Sequence, residues 1–223
     1  MIALLFALAS TQASAHSSSF GPTKLRSLPA NPSELWAVAE GWGVLHSATG
    51  GDDWTWLGEE ALGTTTGYDV VPWEPGVALV ATTTGIVRVG ADCSATPLTG
   101  LPEGFVLVLE RWADKAVAGW IGDGVGGLYT CDGSSCTATE VVGAGYFPKS
   151  LLADGDTLWA TIVQTDTLSA QLLQMTTSTV VVAQEYPDGD SDPRVVYANG
   201  DTVHLWVRPR TDAAVPDYRI SLD

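Results

Sequence analysis

Five apolar runs recur along the chain at similar intervals: Leu35 to Ala39, Val77 to Ala81, Ala116 to Trp120, Leu158 to Ile162 and Val203 to Val207. Each is apolar at consecutive positions rather than alternate ones, the pattern of a strand covered on both faces. Each follows a turn: Asn31-Pro32-Ser33, Glu74-Pro75-Gly76, Ala113-Asp114-Lys115, Asp154-Gly155-Asp156 and Asn199-Gly200-Asp201. Pro, Gly, Asn and Asp at these places are what tight turns demand. No intervening stretch carries capped 3.6-residue periodicity, so crossover helices are not expected and sheets must be covered by other sheets.

A third strand follows each run. Gly43-Val44-Leu45, Gly85-Ile86-Val87 and Gly127-Leu128-Tyr129 begin it in the first three units, with the glycines 42 residues apart, and Leu172 to Met175 takes that place in the fourth. An outer strand comes next, at Trp54 to Leu57, Ala95 to Leu98, Thr137 to Val141 and Val180 to Ala183. Pro97 suits an outer strand because proline cannot donate to a ladder, and Thr137 to Val141 alternates as a half-wet edge should. Four short strands per repeat of about 42 residues is the period of a propeller blade.

The predicted fold is therefore an all-β propeller of four-stranded antiparallel blades, spanning residues 16–223, with blades at about 22–58, 63–100, 104–143, 146–186 and 192–223. The last stops in or near its third strand, at Tyr218 to Leu222. Two completions suit this: a five-bladed ring clasped by Ser17 to Phe20, or the front part of a six- to eight-bladed ring. The second is the expectation adopted, because Lys24 to Leu28 already serves as the first strand of the first blade and an open ring would expose an apolar face and a strand edge.

Composition adds compartment. Residues 1–15 read as a secretory signal, with an uncharged apolar run from Ile2 to Ala9 and a small-x-small site at Ala13-Ser14-Ala15, although the n-region lacks Lys and Arg. No segment approaches the ~20 apolar residues of a membrane span. The expected location is extracellular or periplasmic. Net charge is −16, with 10 Lys and Arg scattered, which argues against nucleic acid and anionic membrane surfaces as partners. Cys131 and Cys136 flank the turn-forming Asp132 to Ser135, so a disulfide closing a hairpin is favoured over half of a metal site with no second pair. Cys93 is left as a buried thiol or one paired outside the chain.

The turn after the first blade's third strand carries Ser47-x-Thr49-x-Gly51-x-Asp53-Trp54. It resembles the Asp-box, or BNR repeat, S-x-D-x-G-x-T-W, of sialidase-like, sortilin-like and photosystem-assembly-factor-like propellers. Ser47, Gly51 and Trp54 match, while Thr49 and Asp53 replace the family's Asp and Thr. Pro32-Ser33-Glu34-Leu35-Trp36-Ala37 also looks like the N-P-x-x-L-[WY]-A run of such repeats. The resemblance implies a structural hairpin on the blade rim, hence a fold and not an activity.

Candidate chemistry is sparse. A sialidase-like glycoside hydrolase, its site completed outside this chain, would draw on Arg26, Arg88, Arg111, Arg194, Arg208, Arg210 and Arg219 with Tyr68, Tyr197 or Tyr218, yet none falls in a matching pattern. Asp188, Asp190 and Asp192 resemble the front of a Ca²⁺ loop, without its closing Glu; a solvated acidic turn is the plainer reading. An N-terminal His16 after cleavage would chelate copper only with an opposed histidine, and His46 and His204 read as ordinary strand residues. Among nine tryptophans, Trp36, Trp159 and Trp206 belong to the core, whereas Trp42, Trp73, Trp112 and Trp120 lie near strand ends, where some could stack on sugars or peptides. The expectation is a non-catalytic binding or scaffold propeller whose partner is an extracellular protein or glycan and whose one possible cofactor is structural Ca²⁺.

Overall fold

The computed structural model is all-β and describes residues 24–39, 43–58, 62–63, 67–139, 145–164, 166–167, 169–186, 191–199, 202–209 and 217–221. The proposed signal, its clasp and His16 lie outside these residues. The first sheet is β1 (Lys24–Leu28), β2 (Asn31–Ala39), β3 (Gly43–Ser47) and β4 (Thr55–Leu57); the second is β5 (Gly67–Glu74), β6 (Val77–Thr82), β7 (Gly85–Gly90) and β8 (Ala95–Pro97). The third holds β9 (Phe105–Trp112), β10 (Lys115–Gly122), β11 (Val125–Cys131) and β12 (Cys136–Thr139). The fourth holds β13 (Tyr146–Asp154), β14 (Thr157–Gln164), β15 (Ala170–Met175) and β16 (Val180–Tyr186). A three-stranded sheet follows, β17 (Ser191–Asn199), β18 (Thr202–Pro209) and β19 (Asp217–Ser221). Every pairing between these strands is antiparallel and sequential, as in the blades of a β-propeller.

What makes these sheets blades is how their faces are covered. The first strands of successive sheets touch one another, β1 on β5, β5 on β9, β9 on β13 and β13 on β17, whereas the fourth strands pack mainly on the third strand of their own sheet. The second strands are buried at consecutive positions: Ala78 to Thr82 in β6, Ala116 to Trp120 in β10 and Leu158 to Val163 in β14. One apolar cluster fills each interface. Trp36, Val38 and Val44 meet Val70 and Val80 between the first two blades. Leu79 and Ile86 meet Leu109 and Ala118 at the next, and Val117 and Leu128 meet Leu158 and Ile162 after that. Trp159 and Leu172 then meet Val203 and Leu205. Odd and even residues of one strand thus serve opposite neighbours, so consecutive positions are mostly apolar.

Small residues set how close the blades come. A Cβ on Gly119 in β10 would lie 2.7 Å from Pro148 Cβ of the next blade, and one on Gly126 in β11 would overlap the Tyr146 carbonyl oxygen. Bare backbone is required where β13 is laid against the third blade.

The structure moves two strand starts and removes one expected alternation. Asn31, Pro32 and Ser33 lie inside β2, because the β1–β2 turn is Pro29-Ala30, with Leu28 paired to Asn31. β11 starts at Val125, not Gly127: the two-residue turn Asp123-Gly124 has φ of +50° and +75°, which matches a type I′ hairpin and brings the strand in earlier. The strict glycine spacing therefore holds for Gly43 and Gly85, which begin β3 and β7, and is coincidental at Gly127. The described part of the third outer strand does not alternate, since Thr137 and Ala138 are both exposed.

The turn between third and fourth strands is closed in every complete blade by a side-chain acceptor. Ser47 Oγ accepts from Gly51 N at 2.9 Å and Thr49 Oγ1 from Asp53 N at 2.9 Å. Gly51 has φ +102°, and a Cβ there would meet Leu35 and Trp54 at 3.7 and 3.8 Å, so Trp54 lies over the turn while remaining 42% exposed. Asp92 Oδ1 takes the amide and hydroxyl of Ser94, Asp132 Oδ1 the amides of Ser134 and Ser135, and Thr176 Oγ1 the amide of Thr179. Cys131 and Cys136 are joined by a disulfide at the base of the Asp132 turn. Cys93 sits in the Asp92 turn with φ +67° and is exposed, which corrects the expectation of a buried thiol.

Two outcomes follow for stability. Leu158→Ala, which empties space at a fully buried site, should cost about 2–5 kcal/mol in urea unfolding, whereas Val181→Thr on the exposed β16 should stay within about 0.5 kcal/mol. The backbone amides of Ser135 and Ser134 hold the Asp132 carboxyl at about 2, below its usual 3.8. Its contribution is therefore present above about pH 4 and lost as pH falls toward about 2. Asp132→Ala should unfold earlier than the parent at pH 6, and the two midpoints should converge between about pH 4 and about pH 2.

Candidate functional site

The first strands line the axis, and charge collects there in otherwise apolar sequence. Arg26 on β1 reaches across the second blade: Nη1 donates to Glu110 Oε2 on β9 at 2.7 Å, and Nη2 donates to the Leu109 carbonyl at 3.2 Å. Asp69 of β5 lies between them, with Oδ1 at 3.7 Å from Arg26 Nη2 and Oδ2 at 4.0 Å from Lys24 Nζ. Asp69 is 1% exposed, and both its oxygens are used by backbone: Oδ1 accepts from Val70 N at 2.9 Å and Oδ2 from Leu109 N at 3.0 Å. Three blades are tied together by one arginine and two carboxylates.

Burial pushes the Glu110 carboxyl up, against the pull of Arg26. Burial works against the Arg26 guanidinium too, but Glu110 and Asp69 outweigh it and raise its pKa. Arg26 therefore keeps its charge within the cluster.

Beside the cluster, where the first strands end, a cavity of about 820 Å³ opens among the turns of four blades, Pro29-Ala30, Pro75, Ala113 and Gly155. Its walls include Leu28, Val71, Pro72 and Trp73, with Arg26, Glu110 and Arg111 among them. Arg111 fixes the Trp73 wall: Nη1 donates to the Pro72 carbonyl at 3.0 Å and to the Trp73 carbonyl, and the guanidinium lies 5.2 Å from the Trp73 ring centre. The cavity offers a tryptophan, three prolines and charges of both signs on a rigid frame.

Of the arginines considered for a carboxylate grip, Arg26 and Arg111 come to this cavity, already engaged with carboxylates and carbonyls, while Arg88 on β7 pairs with Glu74. The side chains of Arg208, Arg210 and Arg219, and that of Tyr218, lie outside the described residues. Tyr68 packs against the core between the second and third blades. Asp188 and Asp190, with the side chain of Asp192, are likewise outside the described residues, and no cluster of three metal-ligating side chains occurs among those described. His46 is 8% exposed, stacked 4.3 Å from the Trp36 ring. Its Nε2 is 3.6 Å from Glu34 Oε1, the atom that accepts from Trp36 Nε1 at 3.1 Å and from Gly76 N at 2.8 Å. His46 therefore belongs to the joint between the first two blades. Asp69 and Glu110 escaped the sequence reading, though each is a buried carboxylate within a largely apolar strand, Gly67–Glu74 and Phe105–Trp112.

No family model matches the chain, and no curated protein does either. Solved structures share the architecture. The extracellular domain of a B. thetaiotaomicron protein described as a one-component system, BT4673, aligns with a TM-score of 0.58 at 17% identity, covering 88% of this chain and 27% of that one. YCF48 bound to D1 peptide aligns at 0.54 and 15% identity, covering 78% and 57%. Regucalcin, a calcium-binding protein from Agrobacterium tumefaciens, aligns at 0.57 and 15%, covering 85% and 68%. At such identities the likeness shows the fold alone, a β-propeller. The chain spans about a quarter of the first of these structures and 57% of the second.

The axial cluster makes a direct prediction. Arg26→Met leaves two buried carboxylates without their shared cation and should cost about 3–5 kcal/mol in thermal or urea unfolding, whereas Glu110→Gln, which keeps the shape and removes one charge, should cost clearly less.

Proposed function

We propose that this chain belongs to an exported, non-catalytic propeller that binds an extended protein segment in the axial cavity. The observation that carries the reading is the state of the charged groups. Both oxygens of Asp69 serve backbone amides, and Glu110 is held by Arg26. A hydrolytic pair needs one carboxyl free to protonate a leaving group and a second free to attack or to activate water. Neither is available in this arrangement, so the cluster holds blades together and shapes the cavity floor. Trp73 and the prolines at positions 72 and 75 give an apolar, preorganised wall of the kind that grips a peptide at low entropic cost. A peptide is bound by YCF48 in one of the structures that share the fold.

Export is supported by the signal-like residues 1–15 and by the Cys131–Cys136 disulfide, a bond at home in oxidising compartments. The Ser47–Trp54 turn supports kinship with Asp-box repeats, since Ser47 and Gly51 make the hydrogen bond that closes it. The competing reading is a sialidase-like hydrolase completed by residues outside this chain.

A displayed library of random 12-residue peptides, followed by fluorescence anisotropy on the selected sequences, tests the proposal. Saturable binding that falls at least about tenfold in Trp73→Ala is expected. Binding unchanged by that substitution, or turnover of a fluorogenic sialoside by this chain, would contradict it.

A further inference from the structure

The axial cavity contains one charge that the fold leaves unpaired. Net charge over the whole chain is −16, so a cation set between blades has carboxylates in plenty, and two neighbours use them. Arg26 faces Glu110 and Asp69, and Arg88 faces Glu74. Arg111 on β9, half-buried, has no carboxylate partner among the described residues. Its Nη1 donates to the Pro72 and Trp73 carbonyls of β5. Carbonyls occupy hydrogens without cancelling the charge, and Nε and Nη2 meet no acceptor among the described residues.

The same contacts hold the group still. Two carbonyls grip one corner of the guanidinium, and its central carbon lies 5.2 Å from the Trp73 ring centre. Much of the rotamer freedom that an arginine gives up on binding is therefore given up in folding. With Nη1 occupied, the Nε–Nη2 edge remains, and its two parallel N–H bonds match the two oxygens of a carboxylate. Charge along the wall points the same way. The charged residues lining the cavity are Arg26, Glu74, Glu110 and Arg111. Arg26 and Glu110 neutralise one another and Arg88 neutralises Glu74, which leaves the positive charge of Arg111.

We infer that the segment seated in the axial cavity presents a carboxylate to Arg111, from an Asp or Glu side chain or from a free C-terminus. The inference rests on the reading of that cavity as a peptide site and adds the chemistry of the ligand. An uncharged segment would cover a cation and leave it without a counter-charge, which is costly out of water. A lysine or arginine in the segment would face a like charge. A segment with many acids would be repelled by the chain as a whole. The site therefore selects one carboxylate in an otherwise neutral sequence.

The test compares two displayed libraries of random 12-residue peptides, one containing Asp and Glu and one lacking them, selected on the full chain. Selected peptides are synthesised with free and with amidated C-termini, and their affinities are read by fluorescence anisotropy. The tighter binders should carry an acid at a fixed position or need the free C-terminus. Replacing that acid by its amide, or amidating that terminus, should weaken binding at least about tenfold and shows which source supplies the carboxylate. Arg111→Gln should lose as much for the acid peptide while binding the amide peptide as the parent does, which shows the Trp73 wall intact. Arg111→Lys, which keeps the charge and loses the fork, should fall between. Equal affinity of acid and amide peptides, with both still weakened by Trp73→Ala, would overturn this inference and leave the peptide reading standing. So would an acid peptide bound equally well by Arg111→Gln. Saturable binding of no peptide, or binding indifferent to Trp73→Ala, would remove the peptide reading and this inference with it.

Discussion

A sheet that is apolar on both faces cannot stand in water by itself. The second strands of this chain impose that constraint three times over, with Leu79 and Val80, Val117 and Ala118, and Trp159 and Ala160 each sending neighbouring residues to opposite sides. The available cover is another sheet of the same kind, so the blades succeed one another around an axis. Much else follows from that arrangement. The first strands are brought against each other, the spacing between blades demands Gly119 and Gly126, and the outer strands are left as short, wetter edges.

Stacking of this sort brings the first strands together at the axis, and the chain uses them there for charge. Arg26, Asp69 and Glu110 sit on three successive first strands and satisfy one another and the Leu109 backbone. Buried ion pairs contribute little net stability compared with apolar packing, but they are unforgiving of misplacement. A cluster that closes only when three blades are in register acts as a check on their relative position, and the adjoining cavity inherits that rigidity.

The apolar runs made the architecture legible because their signal is redundant: five runs, five turns and an outer-strand proline at 97 agree. Boundaries were less legible where two turn solutions fit the same letters. Pro29-Ala30 makes the turn that Asn31-Pro32-Ser33 also suggests, and Asp123-Gly124 starts β11 before the glycine that keeps the repeat. The axial cluster was hidden because its members lie on separate blades, and Arg26 and Glu110 are 84 residues apart. Local pattern cannot report such a contact. The rim turns show the same limit in reverse: Ser47, Asp92, Asp132 and Thr176 perform one task with three residue types, so a motif search sees only the first.

Amide hydrogen exchange resolved by strand tests the central claim most directly. If radial stacking of doubly covered strands holds the fold together, the amides of Val77–Thr82, Lys115–Gly122 and Thr157–Gln164 will be the slowest to exchange, and those of Thr55–Leu57 and of Ala95 and Thr96 the fastest within their sheets. Equal protection across all four strands of a blade, or faster exchange in its second strand than in its fourth, would contradict the account.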